Sequence, residues 1–381
     1  MKKSLLISEI FPPKNGGSGR WFWELYSRLP NDRFVIAAGS SKQSETFDQT
    51  HNLPVKRINL SSTEWGVKSS SGFKFYWRTF WQLRKLIKDN KVQAIHCGRC
   101  IPEGMMGLLL SKFMRIPYIC YVHGEDVEAA STSRELSFIV KNVLKHAEFL
   151  ICNSQNTAGL LSQWRVDESK IQILNPGVDS TKFVPTERNY NIKQQLGWGN
   201  RPTILTVGRL QKRKGQDMLI KALPNIKKSI PNILYAVIGG GDEKGLLEEL
   251  VNSLSLQENV LFMSEIDDDT MLKCYQQCDL FILPNRTVNQ DIEGFGMVLV
   301  EAQSCGKTVI AGDSGGTKET MIEEKTGFII DCTNPEPIAE KLIELLKQPE
   351  KLDAYGKLGR EHVVNTLDWK AHKEKAEILF S

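Results

Sequence analysis

The feature that most constrains this chain is a recurring alternation of short apolar runs, each of strand length, with stretches long enough to hold a helix. SLLIS, FVIAAG, VQAIHC, YICYVHG and FLICNS come in the first half; TILTVGRL, LYAVIGGG, VLFMSE, LFILPN, TVIAGD and GFIID follow in the second. A strand covered on both faces reads as a continuous apolar run, and parallel neighbours need a crossover that is usually a helix. The pattern therefore predicts βαβ units and an α/β fold with parallel sheets covered on both faces. Two sheets are expected, because the alternation breaks after ILNPGVDSTKFVPTERN, where Pro176, Gly177 and Pro185 interrupt any periodicity. A chain of 381 residues also exceeds a typical single core. The expected organisation is two Rossmann-like, doubly wound domains, residues 1–182 and 183–366. Ligands of such sheets bind beyond the carboxyl ends of the strands, so two facing sheets would enclose a cleft.

Composition excludes several classes. With 41% hydrophobic and 25% charged residues the chain is globular, and it contains no apolar run of membrane-spanning length. The start MKKSLLISEIFPP reads as a lysine pair and a first strand, broken too early for a signal peptide, so a cytoplasmic protein is expected. The cysteines are scattered, which argues against a disulfide framework. Cys97 and Cys100 form a lone C-x-x-C, but a closed zinc site needs a second ligand pair, which neither Cys120 nor Cys152 supplies. Charge is uneven. Through residue 185 there are 25 Lys and Arg against 16 Asp and Glu, or +9, and beyond it 24 against 29, or −5. The basic half is the one to expect against an anionic surface or acceptor. No recognised nucleic-acid module accompanies those basic residues, so a nucleic-acid partner is not expected.

The stretch EGFGMVLVE, residues 293–301, carries the most chemistry. A loop entering a helix at Gly294, Phe295 and Gly296 can turn backbone N–H groups toward an anion, and glycine lets that anion come close. If the whole stretch is helical, Glu293 and Glu301 share a face a little over two turns apart. One carboxylate would take sugar hydroxyls and the other a ribose diol; the plain alternative is a helix start whose acidic residues favour the dipole. In GRLQKRKG, Arg209 and Lys214 follow a strand and can address one pyrophosphate, unless the turn is merely a solvated basic one. FPPKNGGSG at 11–19 is a strand-to-helix turn whose glycines permit close approach of phosphate or sugar; it matches neither the dinucleotide fingerprint nor a P-loop. His123, in HGED, stands at a strand end. Asp267, Asp268 and Asp269 could be taken for a metal-binding D-x-D, but they precede TMLKCY and read as helix-capping carboxylates. Residues 73–88, FKFYWRTFWQLRKLIK, interleave aromatic and aliphatic side chains with Lys74, Arg78, Arg84, Lys85 and Lys88. Such a helix either lies in a bilayer interface or packs its aromatics on the sheet with its charges in water.

Taken in order, the PP-x-x-GG loop, HG after a strand, NPGVD at the domain junction, GRL-x-x-x-KG, IGGG, EGFG-x-x-x-x-E and GDSGG resemble the retaining glycosyltransferases of family 4, which have the GT-B fold. The resemblance runs over most of the chain, and GRLQKRKGQDMLIKALP, FILPNRT and VIAGDSGGTKE look most like bacterial mannosyltransferases that act on phosphatidylinositol mannosides. It implies that Arg209 and Lys214 hold the donor diphosphate, that Glu293 takes hexose hydroxyls, and that the backbone of Gly294, Phe295, Gly296 and Met297 meets sugar and phosphates. Glu301 would bind the ribose, Gly16 and Gly17 would close on the phosphates, His123 would face donor sugar and acceptor, and Ile266 would lie beside the base. It also implies a last helix, about 367–381, that packs back on the first domain. The first-domain loops depart from the family pattern at Ser18, Gly19, Arg20 and HGED, so acceptor recognition is not carried over. The resulting expectation is a metal-independent, retaining hexosyltransferase with no cofactor beyond its nucleotide sugar. GDP-mannose is the favoured donor, the acceptor is lipid-linked or a saccharide, and a peripheral place on the inner face of an anionic plasma membrane is expected. The alternatives are a UDP-glucose or UDP-N-acetylhexosamine transferase of the same fold and a non-catalytic nucleotide-sugar binder.

Overall fold

A computed structural model describes every residue except Asn15, Thr63 and Thr132, the first of which lies in the glycine loop. The chain forms two compact units, Met1–Pro176 with Trp369–Ser381, and Gly177–Asp368. The division falls before residue 182 because the chain already bonds within the second unit: the Val178 N–H donates to the Leu367 carbonyl at 2.9 Å, and Phe183 packs in that unit's core.

The first unit holds a seven-stranded sheet. Its strands are β1 (Ser4–Ser8), β2 (Phe34–Gly39), β3 (Val55–Ile58), β4 (Ala94–Cys97), β5 (Tyr118–Val122), β6 (Leu150–Cys152) and β7 (Ile171–Ile173). All pair in parallel in the order β3-β2-β1-β4-β5-β6-β7. The inner strands are the wholly buried apolar runs of the sequence, whereas the outer pair, β3 and β7, are short and half-exposed and do not stand out there. The helix Trp369–Leu379 closes this unit. Just beyond it the Phe380 carbonyl accepts from the Lys2 N–H at 3.0 Å, and its ring stands 4.5 Å from that of His96. His96 lies on β4, and its Nδ1 is 2.7 Å from the Tyr26 hydroxyl; burial pushes the imidazole down to about 3.

The second unit holds six parallel strands, β8 (Thr203–Val207), β9 (Leu234–Ile238), β10 (Val260–Met263), β11 (Leu280–Leu283), β12 (Val309–Gly312) and β13 (Gly327–Ile330), ordered β10-β9-β8-β11-β12-β13. Strand order reverses between β1 and β4 in one sheet and between β8 and β11 in the other. At such a point successive connections leave toward opposite faces, opening a crevice at the carboxyl edge.

Residues 73–88 fall within one helix, Ser70–Asp89, capped by the Ser69 side chain. Its aromatics divide between the core and the surface. Phe75 and Tyr76 are buried in the core, while Phe73, Trp77 and Trp81 face outward with Phe113 of the helix Met105–Met114. The Arg84 guanidinium lies over the Trp81 and Phe113 rings, 5.1 and 5.6 Å from their centroids. Among the described residues no helix is long and apolar enough to cross a membrane.

Candidate active site

In the second unit the site begins where β8 ends. The turn Lys212–Lys214 stops at Gly215, whose φ of +76° suits glycine and whose Cβ, if present, would stand 1.7 Å from the Pro284 carbonyl oxygen. That close approach seats the turn against the loop leaving β11, with Arg213 and Lys214 turned inward and Arg209 and Lys212 exposed. The Arg286 N–H donates to the Arg213 carbonyl at 2.8 Å, and the Arg286 guanidinium takes both oxygens of Asp217, at 2.8 and 3.0 Å.

Glu293 meets this turn directly. Lys214 Nζ lies 2.5 Å from Glu293 Oε2, Arg213 Nη1 lies 2.6 Å from the same oxygen, and Arg213 Nε is 3.0 Å from Asp291 Oδ1. The main chain of Glu293 is fixed too, its carbonyl accepting from the Gly316 N–H at 2.8 Å. Burial alone would raise the Glu293 carboxyl, but the Lys214 and Arg213 charges outweigh it and hold it below the usual carboxylate range. Lys214 is lowered chiefly by burial, which outweighs the opposing pull of Glu293, and the Arg213 and Arg209 charges lower it further. Counting Arg209, Arg213 and Lys214 against Glu293 and Asp291, the cluster carries one net positive charge, which suits it to taking up a diphosphate.

The helix that follows is shorter than the E-x7-E spacing implies. It spans Met297–Ser304 and is preceded by Gly296 at φ +91°. Left-handed backbone there breaks the helix, so Glu293 lies in the loop and does not share a helical face with Glu301. Gly294, Phe295 and Gly296 form the entry to this helix, and no side chain caps it. The amide end is thereby left to an anion or water. Phe295 is buried and Met297 half-buried. Glu301 is 2% exposed, and its Oε2 accepts from the Tyr275 hydroxyl at 2.7 Å. Ile266 is half-buried just after β10. The next residue, Asp267, is the N-cap of the helix Asp268–Gln277 and accepts from the Thr270 N–H at 2.6 Å, in the capping role read from the sequence. Among the described residues no group of three or more His, Cys, Asp and Glu side chains is arranged to hold a metal ion.

The first unit brings other residues to its own switch point. Gly16 precedes the helix Gly17–Tyr26, and a Cβ there would come within 2.7 Å of the Ile10 side chain, whereas at Gly17 it would meet nothing within 4 Å. His123 follows β5, with Nε2 2.7 Å from the Gly98 carbonyl. A carbonyl only accepts, so Nε2 is the donor in this contact. Trp21 and Phe22 pack edge-on to the imidazole. Beside it stands a network that sequence reasoning missed. Arg99 Nη2 pairs with Glu9 at 2.9 Å, Arg99 Nε with the buried Glu103 at 3.2 Å, and Lys14 with Glu9 at 2.6 Å. The available signal was position alone, since Glu9 follows β1 and Arg99 follows β4. The eight cysteines are all free and buried, and the sulfur near Cys100 belongs to Cys120, at 3.9 Å.

The family model described as glycosyl transferases group 1 matches residues 189–362, and that of glycosyltransferase family 4 matches residues 15–182. The chain is 27% identical, over 98% of its length and 97% of the relative's, to the GDP-mannose-dependent alpha-(1-6)-phosphatidylinositol monomannoside mannosyltransferase of Mycolicibacterium smegmatis. It is also 27% identical, over 98% of its length and 96% of the relative's, to the corresponding enzyme for the monoacylated acceptor in Corynebacterium glutamicum. Anabaena HepE, solved in complex with UDP and glucose, superposes over 100% of both chains with a TM-score of 0.84 at 20% identity. With both halves matched in order and the fold shared end to end, the chain belongs to glycosyltransferase family 4 and is a glycosyltransferase of the GT-B type.

Proposed function

We propose that the protein is a retaining, metal-independent hexosyltransferase that moves mannose from GDP-mannose to a lipid-linked or saccharide acceptor. The observation that carries this reading is the pairing of Glu293 with Lys214 and Arg213 at the second sheet's switch point, ahead of an uncapped helix N-terminus. Lys214 and Arg209 neutralise the diphosphate as it leaves, the helix N-terminus adds backbone N–H groups, and no metal is required for that charge. Glu293 orients the hexose through its hydroxyls, and Glu301, held by Tyr275, takes the ribose diol. The acceptor attacks on the face the diphosphate leaves, and a diphosphate oxygen takes its proton, so the anomeric configuration is kept. Mannose is favoured because the Mycolicibacterium and Corynebacterium relatives, each aligned over nearly the whole chain, are named as GDP-mannose-dependent. In the first unit Gly16, Gly17 and His123 serve phosphates, sugar and acceptor. The outward aromatics Phe73, Trp77 and Trp81, flanked by basic residues, support the reading that this unit meets an anionic membrane.

A thermal-shift panel of GDP, UDP and ADP tests the donor, because a ligand that binds the native state raises its apparent stability. Stabilisation by GDP, followed by transfer from GDP-mannose with an α-linked product by NMR, is the expected result. Selective stabilisation by UDP would replace the donor with UDP-glucose or a UDP-N-acetylhexosamine, and a β-linked product would refute retention.

A further inference from the structure

Resting on the roles just given to Lys214 and Glu293, we infer that Arg213 is a positioning residue that keeps Glu293 anchored and ionised when Lys214 turns to the donor diphosphate. Both cations address one atom, Glu293 Oε2, at 2.5 Å from Lys214 and 2.6 Å from Arg213. A diphosphate competes for them. A lysine is a point charge on a flexible stem and can change partner readily. A carboxylate as buried as Glu293, if stripped of its counter-ions, would take up a proton or turn away. It would then be lost to the hexose at the moment the donor binds.

Arg213 is placed to prevent this. It is 5% exposed, its Nε is held by Asp291 at 3.0 Å, and its carbonyl accepts from the Arg286 N–H at 2.8 Å. Arg286 is in turn clamped on Asp217. The guanidinium is thus braced between two carboxylates and cannot follow Lys214 outward. Because it grips Oε2, it leaves Oε1 as the oxygen for hexose hydroxyls. The charged groups bearing on the carboxylate are Lys214 and Arg213 from the loop after β8. Asp291, from the carboxylate's own loop, is engaged by Arg213, and Arg209 acts on Lys214. Arg213 is therefore the cation that remains with Glu293 after the exchange.

The test compares Arg213→Met and Arg213→Lys with wild type. Affinity for GDP and UDP is measured by calorimetry, and hydrolysis of GDP-mannose and UDP-glucose is followed across pH. For Arg213→Met we expect nucleoside-diphosphate affinity within about threefold of wild type and kcat lower by about tenfold or more. The acid limb of kcat should move to higher pH, as Glu293 protonates sooner. Arg213→Lys, which keeps a charge but loses the brace to Asp291, should recover part of kcat and part of the limb. A folded Arg213→Met protein with wild-type kcat and limb overturns the proposal. So does a loss of diphosphate affinity in step with thermal stability that Arg213→Lys leaves unrelieved, which would make Arg213 merely structural. Should Arg213→Met fail to fold, a wild-type limb in Arg213→Lys is the refuting result and an upward shift the supporting one. Wild type that neither binds a nucleoside diphosphate nor hydrolyses either sugar nucleotide would instead bring down the functional reading beneath the proposal.

Discussion

Lys214→Ala removes the ammonium that lies 2.5 Å from Glu293 Oε2 and is 8% exposed. A unit charge about 4 Å from another interacts by about 4 kcal/mol at the effective dielectric of a partly buried site. Only the charge that develops as the glycosidic bond breaks counts toward rate, since binding donor and transition state equally well does not raise kcat. Taking half to two-thirds of the interaction as differential gives roughly 2–3 kcal/mol, or a loss of about 30- to 150-fold in turnover. The fold should survive, because Glu293 keeps its 2.6 Å pair with Arg213. Circular dichroism and a melting curve would establish that the variant is native. Initial rates of nucleotide release from GDP-mannose, at saturating donor, would then give kcat. A native Lys214→Ala protein turning over within about threefold of wild type would refute the argument, since that is under 1 kcal/mol of barrier.

Chelation should leave transfer intact, because Asp267 is committed to a helix cap; activity lost in EDTA and restored by Mn²⁺ or Mg²⁺ would return those aspartates to a metal role. The first unit should sediment the protein with anionic vesicles at low salt, each Lys or Arg near the surface contributing about 1 kcal/mol, and release it at high salt. Equal binding to neutral vesicles, or an unchanged Arg84→Ala, Lys85→Ala, Lys88→Ala triple variant, would move the acceptor toward a soluble saccharide. His96 gives a pH dependence of known sign. Its native value of about 3 lies below the ordinary 6.5, so the unfolded chain takes the proton first and stability falls as pH drops from about 6.5 toward 3. His96→Gln should flatten that acid slope in melting temperature, and an unchanged slope would remove His96 from the account.

What could be read from the sequence follows burial. Runs such as SLLIS and TILTV are buried along their whole length, so every residue is apolar or small and the strand stands out. VKRI and IQI form the outer strands, where half-exposed positions admit Lys, Arg and Gln and the signal disappears. Lys214 was legible as a cation following a strand and Glu293 as a carboxylate where a loop enters a helix, and the structure brings them together. Arg213 was not, because three consecutive cations look alike until the Lys212–Lys214 turn, ended by Gly215, sends two inward and one out. The helical pairing of Glu293 with Glu301 failed for a related reason: a glycine inside a motif can be read as close approach or as a helix stop, and at Gly296 the backbone adopts the stop. Glu9 and Arg99 belong to no motif, being neighbours only because β1 and β4 are adjacent in the sheet.

The return of Trp369–Ser381 to the first unit means that the second unit is spliced into the first, with the chain leaving at Pro176 and re-entering after Asp368. The two crossings run side by side, the Val178 N–H on the Leu367 carbonyl and the Ser180 N–H on the Asp368 carboxylate. During synthesis the second unit can therefore be complete while the first still lacks Phe380 over His96. A ribosome that has made Met1–Pro176 has made a sheet without its closing helix, and that sheet must wait for nearly two hundred further residues. The unit that is started first is thus the last to be finished, and a chaperone or a premature stop would act first on that unit.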